Sequence, residues 1–243
     1  MAIYRMADLN IDIHNEHPYT ARICREYLAP AGAAADMTVY PNPDEYEADR
    51  KVVPTATDGY LEGLSIYRCI AKKLLSFDGI ILHASVVERG GKAYAFCAKS
   101  GTGKTTHSRL WLEAFSDARI INGDKPLLRL QDGKFWIYGT PWCGKENYQV
   151  NTKAPLAGIC FIERAPQNSI ARLPKCDAVS RLFVQLLLPK EREEAEKTLD
   201  LAGKLIDSTP TFLLKCNMEV EAAEIAYQAL HEVHEVHEAD CHE

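Results

Sequence analysis

The sequence predicts a mixed α/β fold. A mixed-sheet domain spans residues 80–243 and finishes in helices, and an α/β extension over residues 1–79 packs on it. Three observations carry this. Two pairs of apolar runs meet at two-residue turns, Gly90-Gly91 and Asp132-Gly133, which is the strongest short-range hairpin signal. Helical spacing dominates the last third of the chain. Between them, Ala98 to Thr105 reads A-x-x-x-x-G-K-T, with an apolar run before it and a helical pattern after it.

Taken in order, residues 3–13 partly alternate and read as one strand. Residues 19–30 read as a short helix stopped at Pro30, and Met37–Tyr40 as a short strand. The next stretch is rich in Pro, Gly and acids and gives only loop or helix fragments. Helical spacing resumes at Tyr60, Leu64, Tyr67, Ile70 and Leu74, with Asp58 as the expected cap. Residues 79–89 and 92–98 read as the two strands of the first hairpin, and the second strand feeds the A-x-x-x-x-G-K-T string. A helix is expected from Lys104 to about Phe115, then a strand over 118–124 and a hairpin over 126–139. Residues 156–164 form a buried strand and 168–174 a shorter one. Helices follow over 178–188 and 190–208, then a strand over 209–217 and a last helix from Val220 to about His234. No repeat of domain scale occurs.

Composition narrows the classes. The 243 residues are 47% hydrophobic and 26% charged, as in ordinary globular proteins. The net charge of −6 argues against a nucleic-acid-binding surface. No apolar run reaches the ~20 residues of a membrane helix, and the N-terminus does not read as a signal peptide. Eight scattered cysteines form no C-x-x-C pair and read as reduced thiols, with Cys97 and Cys160 as small core residues. The expected location is the cytoplasm, with no membrane or nucleic-acid partner.

The string has the parts of a phosphate loop. Gly101 and Gly103 let the backbone turn tightly, so that amides from Ser100, Thr102 and their neighbours through Thr106 converge on phosphate oxygens. The helix N-terminus adds positive potential. Lys104 supplies a point charge and the Thr105 hydroxyl a ligand for Mg²⁺. Asp124 follows Lys104 by 124 − 104 = 20 residues, room for one helix and one strand, and can help hold the metal. The expected ligands are therefore ATP and Mg²⁺. The loop is also fed by a hairpin strand, whereas parallel-sheet NTPases join their strands by helical crossovers.

His83–Val87, the run from Ala95 to Thr106, and Ile121–Asp124 together resemble the catalytic domain of HPr kinase/phosphorylase, whose nucleotide core is shared with ATP-dependent phosphoenolpyruvate carboxykinase. Residues 138–164 resemble uncharacterised HPr-kinase-like proteins in which a G-T-P-W segment leads into a strand ending in Glu. The resemblance covers about residues 80 to 190 and implies a P-loop fold of the carboxykinase/HPr kinase type. It implies that Lys104 and Thr105 bind the β- and γ-phosphates and Mg²⁺, that Asp124 ligates the metal, and that His83 lies close to the transferring phosphate. Family hexamers imply a homo-oligomer. One position departs. Where the family has two adjacent aspartates, the first its proposed base, this chain reads Gly123-Asp124. His83 becomes the candidate base.

The segment 140–147 is read as a second wall of the site, with Lys145 offsetting phosphoryl charge and Trp142 stacking on substrate or nucleotide. A surface turn with a packed Trp is the competing reading. Lys125 is expected to point away from Asp124, and Glu163 and Arg164 to serve in structural ion pairs. His231, His234, His237, Cys241 and His242 read as a solvated terminus rather than a metal site. The resulting expectation is a kinase that passes the γ-phosphoryl group to the hydroxyl of a protein, peptide or small molecule. The alternative is a nucleotide-binding regulatory or scaffold protein.

Overall fold

The computed structural model describes residues 2–240, with side chains described through Glu232. The chain opens with strands β1 (Ala2–Met6) and β2 (Leu9–Ile13), paired antiparallel. The run expected as one strand is this hairpin. Ala7 and Asp8 both take positive φ, 51° and 59°, and turn the chain without a glycine to announce it. Strand β3 (Met37–Val39) lies parallel to β2 and completes a three-stranded sheet. Helix α3 (Asp58–Leu74) packs on it, and helices α1 (Pro18–Ile23) and α2 (Asp44–Val52) pack on α3. The cap of α3 is Thr57, whose hydroxyl accepts from the Tyr60 amide, while Asp58 pairs with Arg50 at 2.5 Å instead. Fully buried Glu62 on α3 accepts the amides of Glu16 (2.5 Å) and His17 (3.2 and 3.1 Å), so a side chain from α3 satisfies the N-terminus of α1.

A nine-stranded mixed sheet forms the rest of the scaffold. Its strands are β4 (Gly79–Ile81), β5 (Ser85–Arg89), β6 (Lys92–Cys97), β7 (Arg119–Asn122), β8 (Leu127–Gln131), β9 (Lys134–Tyr138), β10 (Lys153–Arg164), β11 (Ser169–Arg172) and β12 (Thr211–Cys216). The order runs β4-β8-β9-β10-β6-β5-β7, and β12 joins β10 on its other edge with β11 outside it. The long β10 makes this possible. Its first residues pair antiparallel with β9, and the rest pair parallel with β6 and β12. Both predicted hairpins turn in the left-handed region, at Gly90 (59°) and Gly91 (74°) and at Asp132 (49°) and Gly133 (75°).

Helices α4 (Lys104–Ala114) and α7 (Glu221–Asp240) cover one face of the sheet, and α5 (Lys175–Phe183) and α6 (Arg192–Ser208) the other. The strand period divides the core. Ala95, Cys97, Ile159 and Phe161 pack with α5 and α6, and Tyr94, Phe96, Cys160 and Ile162 pack with α4 and α7. Burial on both faces explains why these strands are continuous apolar runs in the sequence. A third cluster joins Tyr4, Met6 and Ile11 to Ile66 and Ile70, and also to Leu127, Tyr138 and Trp142. Residues on either side of position 80 therefore share one core.

Two expectations fail for the same reason. Residues 79–89 are not one strand, because β4 pairs with β8 while β5 pairs with β6 and β7. The predicted helix over 178–188 stops at Phe183, because the chain beyond it bonds to the gap between β4 and β5. The His83 amide donates to Gln185 O at 2.8 Å, and Leu82 bridges to Leu186. No helix among the described residues is long and apolar enough to cross a membrane. No disulfide joins the described cysteines. In the tail, the side chains of His234 and His237, and residues Cys241 and His242, lie outside the described residues.

Candidate functional site

Strands β6, β10 and β12 are mutually parallel and end at the same edge of the sheet. Open α/β sheets bind ligands in the crevice beyond such carboxyl ends. The chain leaves β6 through Ala98–Gly103 into α4. Gly101 and Gly103 take φ of 77° and 130°, and nothing lies within 4 Å of a Cβ built on either. Glycine is required there for the backbone angle rather than for room. Among the described residues no side chain caps the first amides of α4, which leaves them available as donors at the helix N-terminus. The buried Ser85 and Ser108 hydroxyls, 2.7 Å apart, pin α4 to β5.

The loop is also held from outside. Arg164, at the end of β10, donates through Nε to Thr102 O at 2.8 Å and through Nη2 to Gly101 O at 2.5 Å. With those carbonyls turned toward the guanidinium, the alternating amides are presented to the other side. This replaces the ion-pair role expected of Arg164, whereas the one expected of Glu163 is met. Glu163 pairs with Arg181 at 2.8 Å, and Arg164 is part of the site. Lys104 is buried and its Nζ donates to Ala98 O at 2.9 Å. Burial lowers its pKa, and the charge of Asp124 opposes that shift.

The opposite wall is built by the segment after β7. Asn122 is fully buried. Its Oδ1 accepts the amides of Asp124 (2.9 Å) and Lys125 (2.8 Å), and its Nδ2 donates to Thr140 O (3.0 Å). This Asx turn fixes where the Asp124 carboxylate points. His83, in the β4–β5 gap, lies with Nε2 3.1 Å from Asp124 Oδ1, and Lys125 Nζ donates to Oδ2. Burial pushes the Asp124 pKa up, but the hydrogen bonds from His83 and Lys125 and the charge of Lys125 outweigh it and leave the pKa at about 2. Lys125 therefore folds back onto Asp124, contrary to the expectation from strand alternation. The strand has already ended at Asn122, so alternation no longer applies.

Gly123 has a steric cause. A Cβ built on it would stand 2.6 Å from Cys143 O. The loop 139–150 is clamped against this segment by Gly123 N to Tyr148 O (2.9 Å), Lys125 N to Trp142 O (3.1 Å) and Val150 N to Ile121 O (3.0 Å). The backbone of that loop occupies the space an aspartate at 123 would need.

Thr105, Lys104, Ser100, Gly101, Gly103, Thr106, His83, Asp124 and Lys145 line one cleft of about 710 Å³. Thr102 does not; it lines the two adjoining cavities. Trp142 is not a stacking platform. It is buried against Tyr67, with ring centroids 5.2 Å apart, and its indole N–H donates to Gly63 O at 3.1 Å. Cys143 is buried too, and burial raises its thiol pKa, so it is not an activated thiol. Tyr60, from the first turn of α3, also lines the cleft, so the N-terminal part contributes to it. The sequence reading missed Tyr60, Asn122 and Arg164. Only Asn122, adjacent to Gly123, carried a local signal, since Asn two residues before a charged turn suggests an Asx turn.

The cleft sets ammonium groups (Lys104, Lys145) and uncapped amides against a carboxylate held by an imidazole. Such a set can bind an anion chain and place a hard cation between it and the carboxylate.

No family model matches the chain, and no curated protein matches it. Among solved structures, the HPr(Ser) kinase/phosphatase from Coxiella burnetii aligns over 63% of this chain and 98% of that chain, at 8% identity and a TM-score of 0.39. A likeness of that size carries no functional argument.

Proposed function

We propose that the chain is an ATP- and Mg²⁺-dependent phosphotransferase that passes the γ-phosphoryl group to a hydroxyl of a protein, peptide or small molecule. The observation that supports this is the single cleft with Lys104 and Thr105 on one wall and the His83–Asp124 pair on the other. Thr105 Oγ1 and the Asp124 carboxylate are hard oxygen donors and fit Mg²⁺, which would neutralise phosphate charge when bound. A cation there competes with Lys125 for the carboxylate.

His83 is the base in this reading. With Nε2–H donating to Asp124, Nδ1 is left as an acceptor for the acceptor hydroxyl's proton. The hydroxyl oxygen forms a bond to the γ-phosphorus as the bond to the β-bridging oxygen breaks, and ADP leaves. Lys104 and Lys145 offset the charge on the transferring group. Pure protein with γ-labelled ATP, Mg²⁺ and hydroxyl-bearing acceptors tests this. Label passes to an acceptor, and His83→Ala slows transfer by ~10²–10⁴-fold while nucleotide affinity stays near wild type. Full turnover in His83→Ala removes the base from this account.

A second reading has its own support. Because Cys143 O stands where a side chain at 123 would begin, no carboxylate extends from that position, and the cleft's other carboxylate, Glu146, is paired with Arg109 at 2.6 Å. A nucleotide-binding regulatory protein without transfer would show affinity for ATP and no labelled acceptor.

A further inference from the structure

Away from the phosphate cleft, the junction of α1 and α3 gathers three side chains that can ligate a metal. Glu16 and His17 stand just before the first residue of α1, and Glu62 lies on α3. A carboxylate oxygen of Glu16, a ring nitrogen of His17 and a carboxylate oxygen of Glu62 all lie within 4.8 Å of one another. Donors at that spacing can share a single ion.

Glu62 supplies the second observation. It is 0% exposed, and its partners are the backbone amides of Glu16 and His17 rather than a cation. Buried carboxylates are ordinarily paired with a cation or bound to a metal. The two amides take both lone pairs of Oε1 but only one of Oε2, so Oε2 keeps a lone pair for a further partner. Among the described residues, the Glu16 carboxylate and the His17 ring have no hydrogen-bond or ion-pair partner, so both can turn to a ligand. The local field is negative. Burial, and then the charges of Glu62 and Glu16, push the pKa of the neighbouring Tyr46 hydroxyl up to about 12.

We propose that this junction is a structural Zn²⁺ site, with Glu16, His17 and Glu62 as its protein ligands and water in the fourth position of a tetrahedron. One imidazole with two carboxylates suits Zn²⁺, whereas Mg²⁺ and Ca²⁺ favour shells made of oxygen alone. The ion ties the start of α1 to α3. Tyr60, in the same stretch of α3 as Glu62, lines the phosphate cleft, so the clip steadies that side of the cleft. No residue of the phosphate loop takes part.

The test titrates chelator-stripped, full-length protein with Zn²⁺ alone, followed by calorimetry and thermal unfolding. The C-terminal histidines and cysteine offer competing ligands, so every protein carries alanine at His234, His237, Cys241 and His242. That background binds one equivalent of Zn²⁺ whose affinity falls at least ~10-fold in His17→Ala and in Glu16→Gln, since even changes behind the ligands cost that much. Free Zn²⁺ at a hundredfold excess over Kd raises its Tm by ~5–10 °C, and the rise is lost in both variants. Neither substituted side chain has a hydrogen bond to lose, so both variants keep the metal-free Tm. Glu62→Gln keeps an acceptor for the two amides and loses Zn²⁺ as well. Absence of Zn²⁺ binding, an affinity unchanged in His17→Ala, or tighter binding of Mg²⁺ than of Zn²⁺ at the position that His17→Ala removes would overturn the proposal.

Discussion

Gly123 shows how one missing side chain can be imposed by a neighbouring backbone. The carbonyl of Cys143 lies 2.6 Å from the position a Cβ would take, a contact real Cβ atoms do not make. Gly123→Ala should therefore cost about 2 kcal/mol, or about 6 °C in Tm for a chain of this size, measured by thermal unfolding. An unchanged Tm would show that loop 139–150 shifts freely. His107 makes a different prediction. Burial lowers its folded-state pKa to about 3, below the 6.5 of a free imidazole, so the fold prefers the neutral ring. The associated stability is whole above pH 6.5 and is lost as pH falls toward 3, at up to ~1.4 kcal/mol per pH unit. Between pH 7 and pH 5 the wild type should lose about 2 kcal/mol more than His107→Gln in urea titrations. Parallel losses in the two proteins would show that the ring is not buried neutral.

Element by element, the chain was readable wherever a local pattern fixed the backbone. The Gly-rich loop and α4 were legible because glycine at φ above zero, lysine and threonine sit within eight residues, between an apolar strand and a helix. The glycine-turned hairpins were legible for the same reason. The β1–β2 turn was not, since Ala7-Asp8 carries no such signal. The break in 79–89 was also hidden, because strand partners chosen far along the chain decided it. Arg164 was invisible as a site residue because its partners are 62 and 63 positions away. Arg164→Ala should free the Gly101 and Thr102 carbonyls and weaken Mg·ADP about tenfold with little change in Tm, since the guanidinium is exposed. A wild-type affinity would mean that the loop holds its shape alone. On the opposite wall, Asn122→Ala removes four hydrogen bonds of a fully buried side chain and should cost about 3 kcal/mol in a denaturant titration.

Across the whole molecule, the N-terminal part and the nine-stranded sheet share a core. Trp142 packs on Tyr67 and donates to Gly63 O, Arg129 donates to Ala7 O at 2.8 Å, and Tyr138 donates to Asp8 at 2.8 Å. Such contacts predict one cooperative calorimetric transition; two separate transitions would contradict it. The central claim is that this joined scaffold presents a loop which grips a phosphate chain through amides and Lys104. The most direct measurement is isothermal calorimetry of Mg·ADP against the wild type and Lys104→Ala. The account predicts saturable binding to the wild type and a loss of about 2 kcal/mol, some thirtyfold in affinity, in the variant. No binding to the intact protein, or equal binding to both, would contradict it.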